Sequence, residues 1–229
     1  MSEWKIRTAD PDRDAEALVE IYRPYVEKTA ITFEYVTPSV EEFRTRMRHT
    51  LVKYPYLVIE KTGEDEKDGT DGKSSVIGGY AYVSPFVGRE AYQYSVETSI
   101  YLNQNLRHQG LGGKLYQTLE DILKEMHICN LNACIGVPKE GETLPFLDDN
   151  SCEFHAHLGY RTVGRFHSCG YKFGTWLDMV WMEKMLQDHP EHPPAILPYS
   201  EVRNSRPDIH QSHTMTIVDP CQCVGINVF

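Results

Sequence analysis

Between Tyr94 and Leu102 the chain alternates strictly. Tyr94, Val96, Thr98, Ile100 and Leu102 fall on one face of an extended strand, and Ser95, Glu97, Ser99 and Tyr101 on the other. The period then changes. Leu111, Leu115, Leu119, Ile122, Leu123 and Met126 recur at helical spacing and predict an amphipathic helix. Upstream, Lys5 to Arg7 opens a sheet. Asp10-Pro11 supplies an N-cap and a first helical residue, followed by an apolar face of Leu18, Ile21, Tyr22 and Tyr25. Thr37-Pro38 repeats that start signal ahead of a second helix with the stripe Phe43, Met47 and Leu51. Tyr56 to Glu60 and Val76 to Val83 are predicted strands, joined by the charged, glycine-rich hairpin loop TGEDEKDGTDGKS. Asn132 to Val137 is another strand, Ser151 to Leu158 a short helix stopped by Gly159, and two strands follow from Tyr160. There is no internal repeat. This order predicts an α/β domain, a sheet with helices on both faces.

Composition narrows the class. A chain of 229 residues is long enough for one domain with a real core. Its net charge of −10 argues against nucleic acid as a partner. Arg44, Arg46, Arg48 and Lys53 read as a solvated helix face. No apolar run approaches membrane-spanning length, and the polar start MSEWKIRTAD is not a signal peptide. The six cysteines, at 129, 134, 152, 169, 221 and 223, lack scaffold spacing and are read as reduced cytosolic thiols. His155-x-His157 with Cys152, and Cys221-x-Cys223, lack second halves at a recognised spacing, so no metal is expected. Beyond residue 188 the character changes. Six of the thirteen prolines fall there, which predicts an extended tail packed over the surface. The final TMTIVDPCQCVGINVF alternates like a hairpin, and no function is assigned to it.

The chemistry is concentrated where the alternating strand runs into the helix. Arg107, His108, Gln109, Gly110, Leu111, Gly112 and Gly113 form a basic turn whose glycines keep side chains away from the start of the helix. The unpaired N–H groups there, with the helix dipole and Arg107, suit a phosphate. Spacing excludes two common loops. A GxGxxG fingerprint from Gly110 would need glycine at Leu115, and a P-loop ending at Gly113-Lys114 would need glycine at His108 and a hydroxyl at Leu115. The lone acid Glu97 beside this cradle suggests group transfer from a phosphate-bearing cofactor. For an isolated strand glutamate the duller reading is a residue on a solvated face.

Arg107-x-x-Gly110-x-Gly112, after a strand and opening a helix, is similar to the Q/R-x-x-G-x-G/A signature of the GNAT superfamily of N-acetyltransferases. TAITFEY (29–35), YPYLVIE (54–60), GGYAYVSPF (78–86), REAYQYSVETSIYL (89–102), FHAHLGY (154–160) and CGYKFGTWLDMVWMEK (169–184) resemble its phosphinothricin and methionine-sulfoximine acetyltransferase branch, and the match covers roughly residues 4–198. The resemblance implies a GNAT fold, a central mixed and mostly antiparallel sheet with helices on both faces. It implies an acetyltransferase domain over residues 1–188 and leaves 189–229 as a proline-rich tail.

By the same resemblance, acetyl-CoA is the co-substrate and a small amino-acid-like primary amine the acceptor. The protein would act in the cytoplasm as a homodimer, in detoxification. Glu97 matches the branch's catalytic glutamate, taking the amine proton directly or through water, and His155 its catalytic histidine, relaying or orienting. The backbone of Ile100, Tyr101 and Leu102 would meet the pantetheine and the thioester oxygen, and the segment from Arg107 to Gly113 the pyrophosphate. One departure is visible. Asp148 stands where the branch has a coenzyme-binding asparagine, so Asn150 or Ser151 is expected to take that contact. Phe33, Arg89, Tyr92 and Trp176 stand where the branch lines its acceptor pocket, with Arg89 suited to an acidic group on the acceptor. The competing readings are a protein N-acetyltransferase and a catalytically silent acetyl-CoA-binding module.

Overall fold

The computed structural model describes residues 4–62 and 75–206. In chain order it runs β1 (Trp4–Thr8), α1 (Pro11–Lys28), α2 (Val40–Leu51), β2 (Tyr56–Thr62), β3 (Ser75–Pro85), β4 (Ser95–Leu102), α3 (Leu111–Glu125), β5 (Asn130–Val137), α4 (Asn150–His157), β6 (Arg161–Lys172), β7 (Thr175–Met185) and α5 (Tyr199–Ser205). Among the described residues the strands form one sheet in the order β1-β2-β3-β4-β5-β7-β6. Every neighbouring pair is antiparallel except β4 and β5. The α/β sheet with helices on both faces is therefore present. Val96, Leu111, Leu115, Leu119, Ile122 and Leu123 share a core with α5 on one face, and α1 and α2 pack Leu18, Tyr22, Tyr25, Phe43 and Met47 over the other.

The helix starts follow their chemistry. Asp10 accepts from the N–H groups of Asp12 and Arg13 at 2.9 and 3.4 Å, with Pro11 as the first helical residue. For α2 the capping residue is Ser39, which accepts from Glu42 N at 3.2 Å, rather than the expected Thr37. The Pro38 that follows Thr37 lies outside the helix, so the chain turns in two residues later. Arg46 and Arg48 are exposed and Arg44 is half-buried, paired respectively with Glu34 and Glu42, with Asp12 and with Glu41, and Lys53 lies just beyond the end of the helix.

Residues 189–198 form neither helix nor strand, and the helix α5 that follows them departs from the expectation of an extended tail. It buries Tyr199 and Val202, and the Tyr199 hydroxyl reaches Thr8 Oγ1 at 2.6 Å. Leu197 N and Tyr199 N donate to Met126 O and Lys53 O, so this stretch closes over the α3 side of the sheet. The hairpin loop between β2 and β3, the alternating C-terminal stretch, and Cys221 and Cys223 lie outside the described residues. Cys129, Cys134, Cys152 and Cys169 are free thiols.

Candidate active site

The sheet parts at its centre. Strands β4 and β5 pair only over Ser95–Asn130, Val96–Leu131 and Glu97–Asn132, whereas β3 stays paired with β4 as far as Leu102. The half of β4 beyond Glu97 therefore has one edge without a neighbouring strand. Leu102 shows which groups face the gap: its N–H and its carbonyl both engage the Tyr25 hydroxyl, at 3.3 and 2.7 Å. Backbone groups in an antiparallel ladder alternate in direction with a period of two residues, so the N–H of Ile100 faces the gap as well.

Two cavities meet at this parting. One, of about 250 Å³, is lined by Thr32, Phe33, Glu97, Ser99, Cys134, His155 and Met179, among others. The other is a groove of about 500 Å³ walled by Tyr25, Arg107, the start of α3, Asp148, Asn150 and Phe154. Ile31, Ile100 and Ser151 line both. The two spaces thus open toward each other beside the free edge of β4.

The groove is built for a phosphate-bearing chain. Gly110 caps α3 at φ +73°, a left-handed conformation that an L side chain resists, and no side chain caps the helix. The first intrahelical bond is Lys114 N to Gly110 O, leaving the N–H groups of Leu111, Gly112 and Gly113 directed out of the helix end. Gly112 lets α4 close in, since a β-carbon there would stand 3.0 Å from the Phe154 ring. The Arg107 guanidinium lies 5.3 Å from the centre of the Tyr25 ring and lines the groove. These features fit a long anionic co-substrate.

Burial alone pushes the Glu97 carboxyl above the ordinary carboxylate range, and no hydrogen-bond donor among the described residues reaches it. Its half-buried position leaves it as a base whose proton affinity is raised toward that of a general catalyst. His155 is different. It is buried on α4, with Nδ1 2.7 Å from Ser151 O and Nε2 2.8 Å from the Tyr116 hydroxyl. A carbonyl only accepts, so Nδ1 carries the proton and Nε2 accepts from Tyr116. Burial also lowers the His155 pKa, which favours this neutral form. Both nitrogens are engaged, which suits an orienting role and leaves neither free to receive a proton in this arrangement. The Tyr116 oxygen also lies 3.2 Å from Thr98 Oγ1, and Thr98 Oγ1 lies 3.2 Å from Asn132 O where the two strands part.

Most sequence-expected residues gather here. Glu97, His155 and Phe33 line the smaller cavity, and Ile100, Leu102, Arg107, His108, Gly110, Leu111, Gly112, Gly113, Asn150 and Ser151 line the groove. Gln109 is not among the groove residues. Tyr101 faces the smaller cavity and packs edge-on against Tyr22 and Tyr25. The Asn150 amide is tied to Asp148 Oδ2 at 2.6 Å, so Asp148 and Asn150 enter the groove as a pair. Three acceptor-pocket residues stand apart from both cavities. Arg89 is exposed at the start of a 3₁₀ turn over Glu90–Tyr92, Tyr92 packs on Phe86, and Trp176 packs on Tyr171 at the β6–β7 hairpin. Sequence reading passed over Tyr25, Tyr116 and Lys172. The first two lie on apolar helix faces and carry no sign of their hydroxyl partners. Lys172 is buried, donating from Nζ to Thr32 O at 2.8 Å.

Comparison with known proteins bears on the fold and the family. A family model described as an acetyltransferase (GNAT) domain matches residues 6–181. The chain is 32% identical over 175 residues to a phosphinothricin N-acetyltransferase of Streptomyces coelicolor, covering 76% of this chain and 92% of that protein. It is 29% identical over 189 residues to an L-methionine sulfoximine/L-methionine sulfone acetyltransferase of Salmonella typhimurium, covering 80% and 95%. The crystal structure of a GNAT superfamily phosphinothricin acetyltransferase from Sinorhizobium meliloti, in complex with acetyl-CoA, superposes with a TM-score of 0.68 at 28% identity, over 86% of this chain and 98% of that one.

Proposed function

The chain belongs to the GNAT family of acetyltransferases, and we propose that it moves an acetyl group from acetyl-CoA to the primary amine of a small amino-acid-like acceptor of the phosphinothricin, methionine sulfoximine or methionine sulfone type. One observation carries this reading. A groove with an anion-binding helix end and a small cavity holding Glu97 meet beside the free edge of β4. The groove accounts for an acetyl-CoA-sized co-substrate, with its phosphates at Arg107 and the α3 amides. The smaller cavity, of about 250 Å³, offers room for a small acceptor beside Glu97.

Acetyl-CoA supplies the activated acetyl thioester, and the residues of this chain do the rest. Glu97 accepts a proton from the acceptor's ammonium, freeing the nitrogen lone pair to attack the thioester carbonyl. As the C–N bond forms the C–S bond breaks, and the departing thiolate takes the proton that the nitrogen then sheds. The Ile100 N–H faces the gap where the two cavities join and is placed to stabilise a carbonyl oxygen as it gains charge. His155, held by Tyr116 and Ser151, fixes the wall between α4 and β4. Such a transfer would mask the amine of a toxic amino-acid analogue, a detoxifying role in the cytoplasm. No helix among the described residues is long and apolar enough to cross a membrane.

A homodimer completes the proposal. Val163 and Phe166 on β6, the outermost strand of the sheet, are 60% and 54% exposed, large apolar side chains that a second copy would cover. Arg89, Tyr92 and Trp176, remote from the cavity within one chain, remain proposed acceptor contacts on the strength of the resemblance.

The test is a thiol-release assay with acetyl-CoA over a panel of amines. Phosphinothricin, methionine sulfoximine or methionine sulfone should outrun polyamines, aminoglycosides and peptide N-termini, and the reverse order overturns the substrate class. Acetyl-CoA should raise the thermal midpoint where NAD and ATP do not, because the groove exists only in the native state. Sedimentation at micromolar protein should show a dimer, and a monomer contradicts that part of the proposal.

A further inference from the structure

Phe33 rests on bare backbone. A β-carbon built on Gly170 of β6 would lie 2.3 Å from Phe33 Cε2 and 2.6 Å from Cζ, and one on Gly136 of β5 would lie 2.9 Å from Cε1. Real β-carbons essentially never sit under 3.0 Å from a neighbour. The ring therefore occupies space that exists only because two strands carry hydrogen at these positions. Between those strands β7 sets Met179 opposite Gly136, and Phe33, Gly136 and Met179 all line the 250 Å³ cavity with Glu97.

The segment around Phe33 is pinned by backbone contacts before it and by side-chain contacts on both sides. Ala30 N donates to Phe146 O at 3.0 Å, Lys172 Nζ to Thr32 O at 2.8 Å, and the hydroxyls of Tyr22 and Thr32 meet at 2.7 Å. Tyr35 donates from its hydroxyl to Tyr171 O. With the loop fixed at these points, the ring relieves a clash by turning about its own side-chain bonds. The sheet lies behind the ring, which is 36% exposed and lines the cavity, so it moves away from the strands and into the cavity mouth.

We infer that Gly136 and Gly170 set the length of acceptor side chain the cavity admits, by letting Phe33 lie back against the sheet and clear the space beside Glu97. The acceptors favoured are amino acids with an extended polar side chain rather than the shortest ones. This rests on the reading of the cavity as the acceptor site. Gly170 is the cleaner position to probe, since a β-carbon on Gly136 would also meet Ala30 O at 3.0 Å. In Gly170→Ala the ring edge must move from 2.3 Å to the ordinary contact range that begins at 3.4 Å, a retreat of 1.1 Å.

The experiment measures kcat/KM along a ladder of 2-amino acids of rising side-chain length, from alanine to methionine sulfone. Gly170→Ala should lower kcat/KM for the long end by about 10-fold or more and leave the short end within about 2-fold, with acetyl-CoA affinity unchanged. Adding Phe33→Leu to Gly170→Ala should restore the long end, because the smaller side chain gives back the space. A uniform loss along the ladder, no loss at all, or a double variant that restores nothing overturns the inference. If Gly170→Ala does not fold, Phe33→Leu alone carries the test and must shift preference toward longer acceptors. A wild-type enzyme that acetylates nothing on the ladder defeats the acceptor reading itself. An active wild type with a length-blind Gly170→Ala defeats only the role of the glycines.

Discussion

Replacing Tyr116 with phenylalanine removes one oxygen and keeps the ring that packs against Phe154 and Tyr160. That oxygen lies 2.8 Å from His155 Nε2 and 3.2 Å from Thr98 Oγ1. His155 Nδ1 is committed to Ser151 O, so in the variant Nε2 becomes a buried acceptor with no donor. Stranding a buried polar group costs about 1–3 kcal/mol. At roughly 2–4 °C per kcal/mol for a folded unit of this size, the thermal midpoint should fall by about 2–12 °C. A second readout separates this from simple loosening. Burial holds the His155 pKa low and stays in the variant, but the bond from Tyr116 also favours the neutral ring, so its loss should move the pKa upward. Scanning calorimetry gives the first quantity and an NMR titration of the imidazole ring the second. A midpoint that moves by less than about 1 °C together with an unmoved His155 titration would refute the proton assignment.

Two further outcomes follow from the same geometry. Burial raises the Glu97 pKa, so kcat/KM should decline as pH falls through a midpoint above the ordinary carboxylate range. Because a carboxyl with a raised native pKa is stabilised in its protonated form, the ionised form weakens the fold above that midpoint. Glu97→Gln should therefore flatten the acid limb of the rate profile and raise the thermal midpoint at neutral pH, and an unchanged acid limb contradicts the base assignment. Gly110→Ala forces a β-carbon into φ +73°, which should destabilise by about 1–2 kcal/mol. It should also weaken acetyl-CoA binding while sparing acceptor KM, and isothermal titration with unchanged acetyl-CoA affinity would show that the cap does not shape the groove.

The elements that position the site were legible because their patterns are local. Alternation marked β4, and the stripe from Leu111 to Met126 marked α3, since each buries one face on a neighbour whatever that neighbour is. Features that depend on contacts across the chain were not. Helix α5 hid in a proline-rich tail because the burial of Tyr199 depends on Thr8 and Lys53, more than 140 residues away in sequence. Tyr25 reads as a core residue and Tyr116 falls outside the predicted stripe, yet both rings are buried. Their hydroxyls act at Leu102 and His155, which only the fold brings within reach. The cap moved from Thr37 to Ser39 because both residues offer the same hydroxyl, and the start signal does not say which one the chain will use. Gly136 lies in no motif, and Gly170 lies in the segment 169–184 without any role assigned to it. Their role comes from where Phe33 lands.

The central claim is that Glu97, on the parting strand, removes the acceptor's proton. Glu97→Gln keeps the shape and hydrogen-bonding reach of the side chain while removing its basicity. The decisive measurement is kcat at saturating amine and acetyl-CoA, taken with acetyl-CoA affinity by titration. The expected result is a kcat lower by about 100-fold or more with acetyl-CoA affinity unchanged. A kcat within about 2-fold of the wild type, with both substrates saturating, would show that Glu97 is only a strand residue and that the proton leaves by another route.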